Sequence, residues 1–244
     1  MTFAFVFPGQ GSQSVGMLNS LAARTEVHAT LQEASDALGE NIGKLIAEGP
    51  AEALALTTNT QPVMLTAGVA CYRAWLAAGG PKPSVMAGHS LGEYTALCAA
   101  GAFSLADTAR LLKLRGQAMQ AAVPVGVGAM CALLGADIDK AQKLAEAAAE
   151  GEVCTVANDN DPSQVVLSGH KGAIERAIAM AKDFEIKRGL PLPVSAPFHC
   201  PLMQPAADAM AEALGKTPPG ALRVPLYANV TAAVVSDPAE VQRL

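Results

Sequence analysis

A serine stands between two glycines at Gly88-His89-Ser90-Leu91-Gly92, after the apolar run Val85-Met86-Ala87 and before a helix-like run over 94–100. A serine hydroxyl is a weak nucleophile and needs a base to take its proton. The G-x-S-x-G pattern suits that chemistry, because small flanking residues allow a sharp strand-to-helix turn that exposes the Oγ. The same turn puts the amide of Leu91 at a helix N-terminus, where it can donate to an oxyanion as charge develops. Taken alone, the pentapeptide also fits a glycine-rich turn holding an ordinary serine.

The base has to come from four histidines. His28 lies in a polar helical stretch and reads as a solvated surface residue. His170, in Ser168-Gly169-His170-Lys171, reads as a capping or turn residue. His89 adjoins Ser90, but neighbours around a tight turn point apart, so it reads as a pocket wall. His199 is held between two prolines in Pro197-Phe198-His199-Cys200-Pro201, a stiff and irregular segment, and is the favoured base.

Elements must deliver these groups. Residues 2–7 alternate β-branched and aromatic side chains and break at Pro8-Gly9-Gln10-Gly11-Ser12, which predicts a strand feeding a glycine-rich loop. Helices are predicted over 51–58, 61–76, 93–100 and 104–122, with a short strand over 84–87. Composition changes at Val123-Pro124-Val125-Gly126-Val127-Gly128. Beyond it the pattern predicts strand 129–134, helix 137–150, strand 153–157, a turn at Asn158-Asp159-Asn160-Asp161-Pro162, strand 164–168, helix 172–184 and strand 187–193. That βαββαβ order is the signature of a ferredoxin-like unit. The expected class is therefore α/β, with a small subdomain at 124–193 inserted between the two pieces, 1–123 and 194–244, of a larger α/β domain.

Composition narrows the function classes. Of 244 residues, 51% are hydrophobic and 16% charged, as in a well-buried globular chain. A formal net charge of −5 leaves no cationic excess for nucleic-acid phosphates. The five cysteines, Cys71, Cys98, Cys131, Cys154 and Cys200, form no C-x-x-C pair and read as reduced thiols in the cytoplasm. No secretory leader is evident, and no apolar run approaches the roughly 20 residues of a membrane span.

Four separated motifs, FVFPGQGSQ at 5–13, GHSLGEY at 88–94, LRGQAMQ at 114–120 and VSAPFHCPLM at 194–203, resemble the malonyl-CoA:acyl carrier protein transacylases of fatty acid synthesis. The likeness runs in order over nearly the whole chain and takes in Asn158 and Gln164-Val165-Val166-Leu167-Ser168-Gly169 of the insert. It implies a large α/β-hydrolase-like domain with a mainly parallel sheet around the ferredoxin-like insert. It implies that Ser90 is acylated, that His199 activates it, and that the backbone amides of Gln10 and Leu91 form the oxyanion hole. By the same likeness Arg115 pairs with the free malonyl carboxylate, a fit that lysine does not reproduce. Phe198 resembles the Phe-His pairing of malonyl-selective domains, where it narrows the space beside the α-carbon, with His89 lining the pocket.

The implied reaction is a ping-pong transfer through a malonyl-serine to the phosphopantetheine thiol of acyl carrier protein, with no cofactor or metal. Asp159 and Asp161 read as turn formers rather than ligands. Carrier proteins of this pathway are acidic, so Lys182, Lys187, Arg188 and Lys113 are the expected transient docking groups. The chain is expected to act as a monomer, without nucleic-acid or membrane partners. In this family a backbone carbonyl from beyond the last residue here orients the histidine. Ser236-Asp237-Pro238 also opens a helix that Leu244 ends within about two turns. The sequence is thus expected to be cut short. Rival readings are a malonyl-transfer subunit of a malonate decarboxylase or polyketide system, a serine hydrolase, and a noncatalytic carrier-binding module.

Overall fold

Phe3, Phe5 and Phe7 alternate with Ala4 and Val6, and that period of two decides which face of the first strand is buried. β1 (Ala4–Phe7) sets Phe5 against Tyr72 and Trp75, with ring centroids 5.3 Å and 5.8 Å away, while Val6 stays 69% exposed. The computed structural model describes residues 2–244. Its contacts divide into two units: the chain up to Gln117 together with Met210–Leu244, and Ala118–Ala209.

In the first unit β1 leads through the glycine-rich loop to α1 (Thr25–Leu38), α2 (Ile42–Glu48), α3 (Ala51–Ala55) and α4 (Thr57–Ala77). Gly39 ends α1 in the left-handed region, and Asn41 Oδ1 accepts the Lys44 amide to open α2. The α4 helix differs from expectation. It starts at Thr57 instead of residue 61 and carries Pro62 within it. Pro62 lies in the second turn, so only one main-chain bond is forgone, and burial of Val63, Leu65, Val69 and Ala70 outweighs that loss.

After α4 come β2 (Val85–Gly88), α5 (Leu91–Ala100) and α6 (Leu105–Ala121), the last capped by Ser104 Oγ accepting the Asp107 amide at 3.0 Å. The chain returns to this unit through α9, introduced below, β7 (Leu226–Tyr227), β8 (Val234–Val235) and α10 (Pro238–Arg243). Strand order is β1-β2-β7-β8, with β1, β2 and β7 parallel and β8 antiparallel to β7. Three neighbouring strands therefore end at one edge of the sheet, where open α/β sheets carry their sites.

The second unit holds β3 (Gly128–Leu134), α7 (Ile138–Ala149), β4 (Cys154–Asp161), β5 (Gln164–His170), α8 (Lys171–Met180) and β6 (Arg188–Pro191); α9 (Gln204–Lys216) follows a short 3-10 turn at Pro201–Met203. The sheet is antiparallel, in the order β4-β5-β3-β6. Alternate residues cover its two faces. Cys131, Leu133, Val165 and Leu167 pack with Leu144 of α7 and Ile174 of α8, whereas Met130, Ala132 and Val166 pack with Phe198, Met203 and Ala206. The turn expected over 158–162 is instead largely strand. β4 runs on to Asp161 through two register shifts, and Asp161 Oδ1 accepts the Ser163 amide at 2.7 Å to close a tighter turn. His170 does not cap α8 with its ring; its Nδ1 accepts the Val153 amide at 2.9 Å.

All five cysteines are free thiols. Burial pushes Cys131 up to about 12 and Cys154 up to about 11, and only Cys71 is exposed. The thiolate is the reactive form. Iodoacetamide on the folded protein at neutral pH is therefore expected to label Cys71 first, with Cys131 and Cys154 modified only after denaturant is added, as peptide mass mapping would report.

Candidate active site

Ser90 sits where β2 turns into α5, with φ 53 and ψ −112, a conformation that non-glycine residues avoid. The two motif glycines are explained by close approach. A Cβ on Gly88 would overlap the carbonyl of Gly92, and one on Gly92 would overlap the carbonyl of Phe7 at the end of β1. Leu91 is the first residue of α5, so its amide is one of the helix-start donors without an intrahelical acceptor. A Cβ on Gly9 would meet His89 Nδ1 at 2.7 Å, so the His89 ring lies against the PGQGSQ loop.

Arg115 reaches this turn from α6. Its Nη2 donates to Ser90 Oγ at 3.2 Å and its Nη1 to Gln61 Oε1 at 2.8 Å, with the guanidinium carbon 5.7 Å from the Tyr94 ring centroid. The bonds continue from Gln61 Nε2 to Thr57 Oγ1 at 3.2 Å and from Thr57 Oγ1 to Gln10 Oε1 at 2.9 Å. One chain of hydrogen bonds thus links the serine, the arginine, the first turn of α4 and the loop after β1. Gly116 makes it possible, because a Cβ there would stand 2.7 Å from the Thr57 carbonyl.

Desolvation lowers the Arg115 pKa, opposed by the nearby Tyr94 and Glu93; the guanidinium stays charged at neutral pH. Among the described residues no carboxylate stands within ion-pair distance of it. Burial also raises the Glu93 carboxyl, opposed by the Asn229 amide and by Arg115. The Asn229 side chain accepts the Ser90 amide at 2.8 Å and donates to the Gly88 carbonyl at 2.6 Å.

The first unit therefore brings together Ser90, Leu91, His89, Gln10 and Arg115. Phe198 and His199 belong to the second unit. There Phe198 is 7% exposed, and His199 has φ 58 between Pro197 and Pro201. The Cys200 thiol donates to the Pro197 carbonyl at 3.1 Å, and Ser195 Oγ donates to Gln120 Oε1 at 2.7 Å, bonds that brace the irregular segment. Of the expected docking cations, Lys182, Lys187 and Arg188 are exposed, whereas Lys113 is engaged by Glu40 Oε1 at 2.7 Å. Sequence reasoning missed Thr57, Gln61, Glu93 and Asn229. Thr57 and Gln61 at i, i+4 were within reach once the helix start was placed correctly; Asn229 carries no local signal. Among the described residues no group of metal-ligating side chains occurs, and no helix is long and apolar enough to cross a membrane.

A strained serine at the carboxyl edge of a parallel sheet, with a half-buried arginine on its hydroxyl, is geometry compatible with acyl transfer. The chain belongs to the acyl transferase family, whose domain model, "Acyl transferase domain", matches residues 4–242. It is 54% identical over 229 residues to the malonyl CoA-acyl carrier protein transacylase of Escherichia coli K12, covering 93% of this chain and 74% of that protein. The crystal structure of the acyl-carrier-protein S-malonyltransferase of Burkholderia pseudomallei 1710b superposes with a TM-score of 0.96 at 57% identity, over 99% of this chain and 79% of that one. A malonyl-transacylase solved in complex with a type II PKS acyl-carrier protein matches with a TM-score of 0.96 at 45% identity, over 100% and 79%.

Two expectations follow from the geometry. Gln61→Ala removes a neutral acceptor from a partly buried cation, so stability should fall by about 1–3 kcal/mol in a urea melt. For Glu93 the sign is set by its raised pKa: its favourable contribution is complete below the ordinary carboxylate value and is lost as pH rises through the folded-state value. Glu93→Gln has no such loss, so its melting temperature relative to wild type should rise as pH increases above the ordinary carboxylate value.

Proposed function

We propose that this enzyme moves a malonyl group from malonyl-CoA to the phosphopantetheine thiol of acyl carrier protein, through a malonyl ester on Ser90. The observation that carries the substrate is Arg115. Its guanidinium is half-buried, has neutral hydrogen-bond partners, and stands 3.2 Å from the Ser90 hydroxyl. A malonyl group esterified there would present its free carboxylate to a cation already withdrawn from water, where a charge-assisted bidentate pair is strongest. An acetyl group offers nothing to that cation.

In the proposed mechanism His199 takes the Ser90 proton as Oγ attacks the thioester carbonyl carbon. The amides of Gln10 and Leu91 hold the negative oxygen of the tetrahedral intermediate. The carbon–sulfur bond then breaks, and the proton passes from the imidazole to the departing CoA sulfur. The carrier thiol enters, gives its proton to His199, attacks the malonyl ester and returns the proton to Ser90, so the kinetics are ping-pong. Every proton and electron pair is accounted for by serine, imidazole and thiol, without a cofactor. His89 lines the pocket, and Phe198 disfavours an α-methyl branch.

The proposed architecture is an α/β-hydrolase-like domain with a ferredoxin-like insert at 124–193. Supporting it are the parallel β1-β2-β7 set and the β4-β5-β3-β6 order, in which the two outer strands flank the first and third of the insert. An acidic carrier would dock on Lys182, Lys187 and Arg188, with Lys113 excluded by its pairing to Glu40. The enzyme would act as a cytoplasmic monomer. A polyketide carrier is the second reading, favoured by the solved complex of a related transacylase with such a partner.

Intact-mass analysis after brief exposure to malonyl-CoA or acetyl-CoA tests the assignment. A malonyl adduct on Ser90, little acetyl adduct, and loss of that preference in Arg115→Ala are expected, with transfer to added carrier protein exceeding release of free malonate. Equal labelling by both thioesters in wild type would overturn the substrate.

A further inference from the structure

We infer that Asn229 is a positioning residue for the nucleophile, holding the backbone of Ser90 in its strained conformation. This rests on the reading of Ser90 as the acylated group. An L-residue at φ 53, ψ −112 persists only where its surroundings over-determine it. Three sets of bonds act on this turn. The His89 amide donates to the Phe7 carbonyl at 3.0 Å, tying the turn to the end of β1. The Gly92 and Glu93 amides donate to the carbonyls of His89 and Ser90 at 2.9 Å and 3.0 Å, starting α5. The third set comes from Asn229 alone.

β7 pairs with β2 only through Leu226 and Tyr227, opposite Met86 and Ala87, and the β7 backbone then leaves the sheet. The Gly88 carbonyl and, just past the end of β2, the Ser90 amide are the next groups on that side. The Asn229 side-chain amide meets both: Oδ1 accepts from the Ser90 amide at 2.8 Å, and Nδ2 donates to the Gly88 carbonyl at 2.6 Å. A carboxamide has the same donor and acceptor pair as a peptide group, so it continues the ladder where no backbone does. Asn229 is itself held by its own amide, which donates to Glu93 Oε1 at 3.3 Å, and Glu93 lies one turn along from Ser90. The clamp thus bridges the residues on either side of His89 and sets the direction of the Ser90 Oγ. It touches only main chain, so it acts through the serine and not on the acyl group.

Asparagine is specific in this role. Asn229→Ala loses both bonds. Asn229→Asp keeps the acceptor for Ser90 but opposes a carboxylate to the Gly88 carbonyl, unless a proton on the acid restores the donor. The test compares wild type, both variants and Val235→Ala, a buried substitution in β8 away from the serine. It measures single-turnover malonylation of Ser90 across pH, at temperatures where each protein is folded, and substrate-free hydrogen exchange of the 88–94 peptide. Expected are an acylation rate lowered about 10²-fold in Asn229→Ala with little change in KM, and faster exchange of that peptide. The ratio of Asn229→Asp to wild-type rate should rise as pH falls, and Val235→Ala should acylate normally despite a lower melting temperature.

Wild-type labelling with undiminished labelling of Asn229→Ala would overturn the clamp. So would a pH-independent Asp-to-wild-type ratio, or equal slowing by Val235→Ala. Absence of any adduct on wild-type Ser90 would instead overturn the acyl-transfer reading, and the clamp with it.

Discussion

The backbone of Ser90 is the constraint on which the site depends. A residue at φ 53, ψ −112 is unfavourable by itself, of the order of 1–3 kcal/mol, and stays there because its neighbours allow nothing else. Gly88 and Gly92 are required by the space the turn leaves: side chains there would strike the Gly92 and Phe7 carbonyls. The result is a hydroxyl projected beyond the sheet edge with the start of α5 immediately behind it. The strained residue stands immediately before the helix-start amide of Leu91.

Electrostatics builds on that backbone. Arg115 is half-buried, with neutral oxygens as its hydrogen-bond partners and an aromatic face beside it. The hydrogen-bond chain from Ser90 through Arg115, Gln61 and Thr57 to Gln10 joins four separate segments: the turn before α5, α6, α4 and the loop after β1. A carboxylate in place of Gln61 would have formed an ion pair with the arginine and cancelled its charge. Neutral amide and hydroxyl groups orient the guanidinium without cancelling it.

The second unit repeats the backbone device. His199, like Ser90, is a non-glycine residue at positive φ, held between Pro197 and Pro201 and followed by a cysteine that bonds back to Pro197. Phe198 anchors the segment by burying its ring with Met119, Met130 and Val166. Both residues assigned to proton transfer and attack therefore sit on main chain whose conformation is imposed by packing and prolines. Neither depends on side-chain rotamers alone.

Backbone features that act between near neighbours were legible in sequence because they are local. G-x-S-x-G, the proline-bracketed His199 and the β-strand period of residues 3–7 each report a constraint that acts between near neighbours. The helix start at Thr57 was missed because Pro62 is a strong local punctuator, and only the burial of α4 overrides it. The extended β4 was missed for the mirror reason: Asn158 to Asp161 are turn formers by composition, yet pairing with β5 recruits them. The turn at Ser90 and the irregular segment around His199 were readable from the sequence itself, since the glycines and prolines that shape them are adjacent residues. The tertiary structure alone decided that Asn229, 139 residues from Ser90, supplies its clamp, and that Gln61 and Thr57 hold Arg115. Those partners meet only because parallel strands carry distant segments to one edge, and no local pattern encodes a hydrogen bond made across that distance.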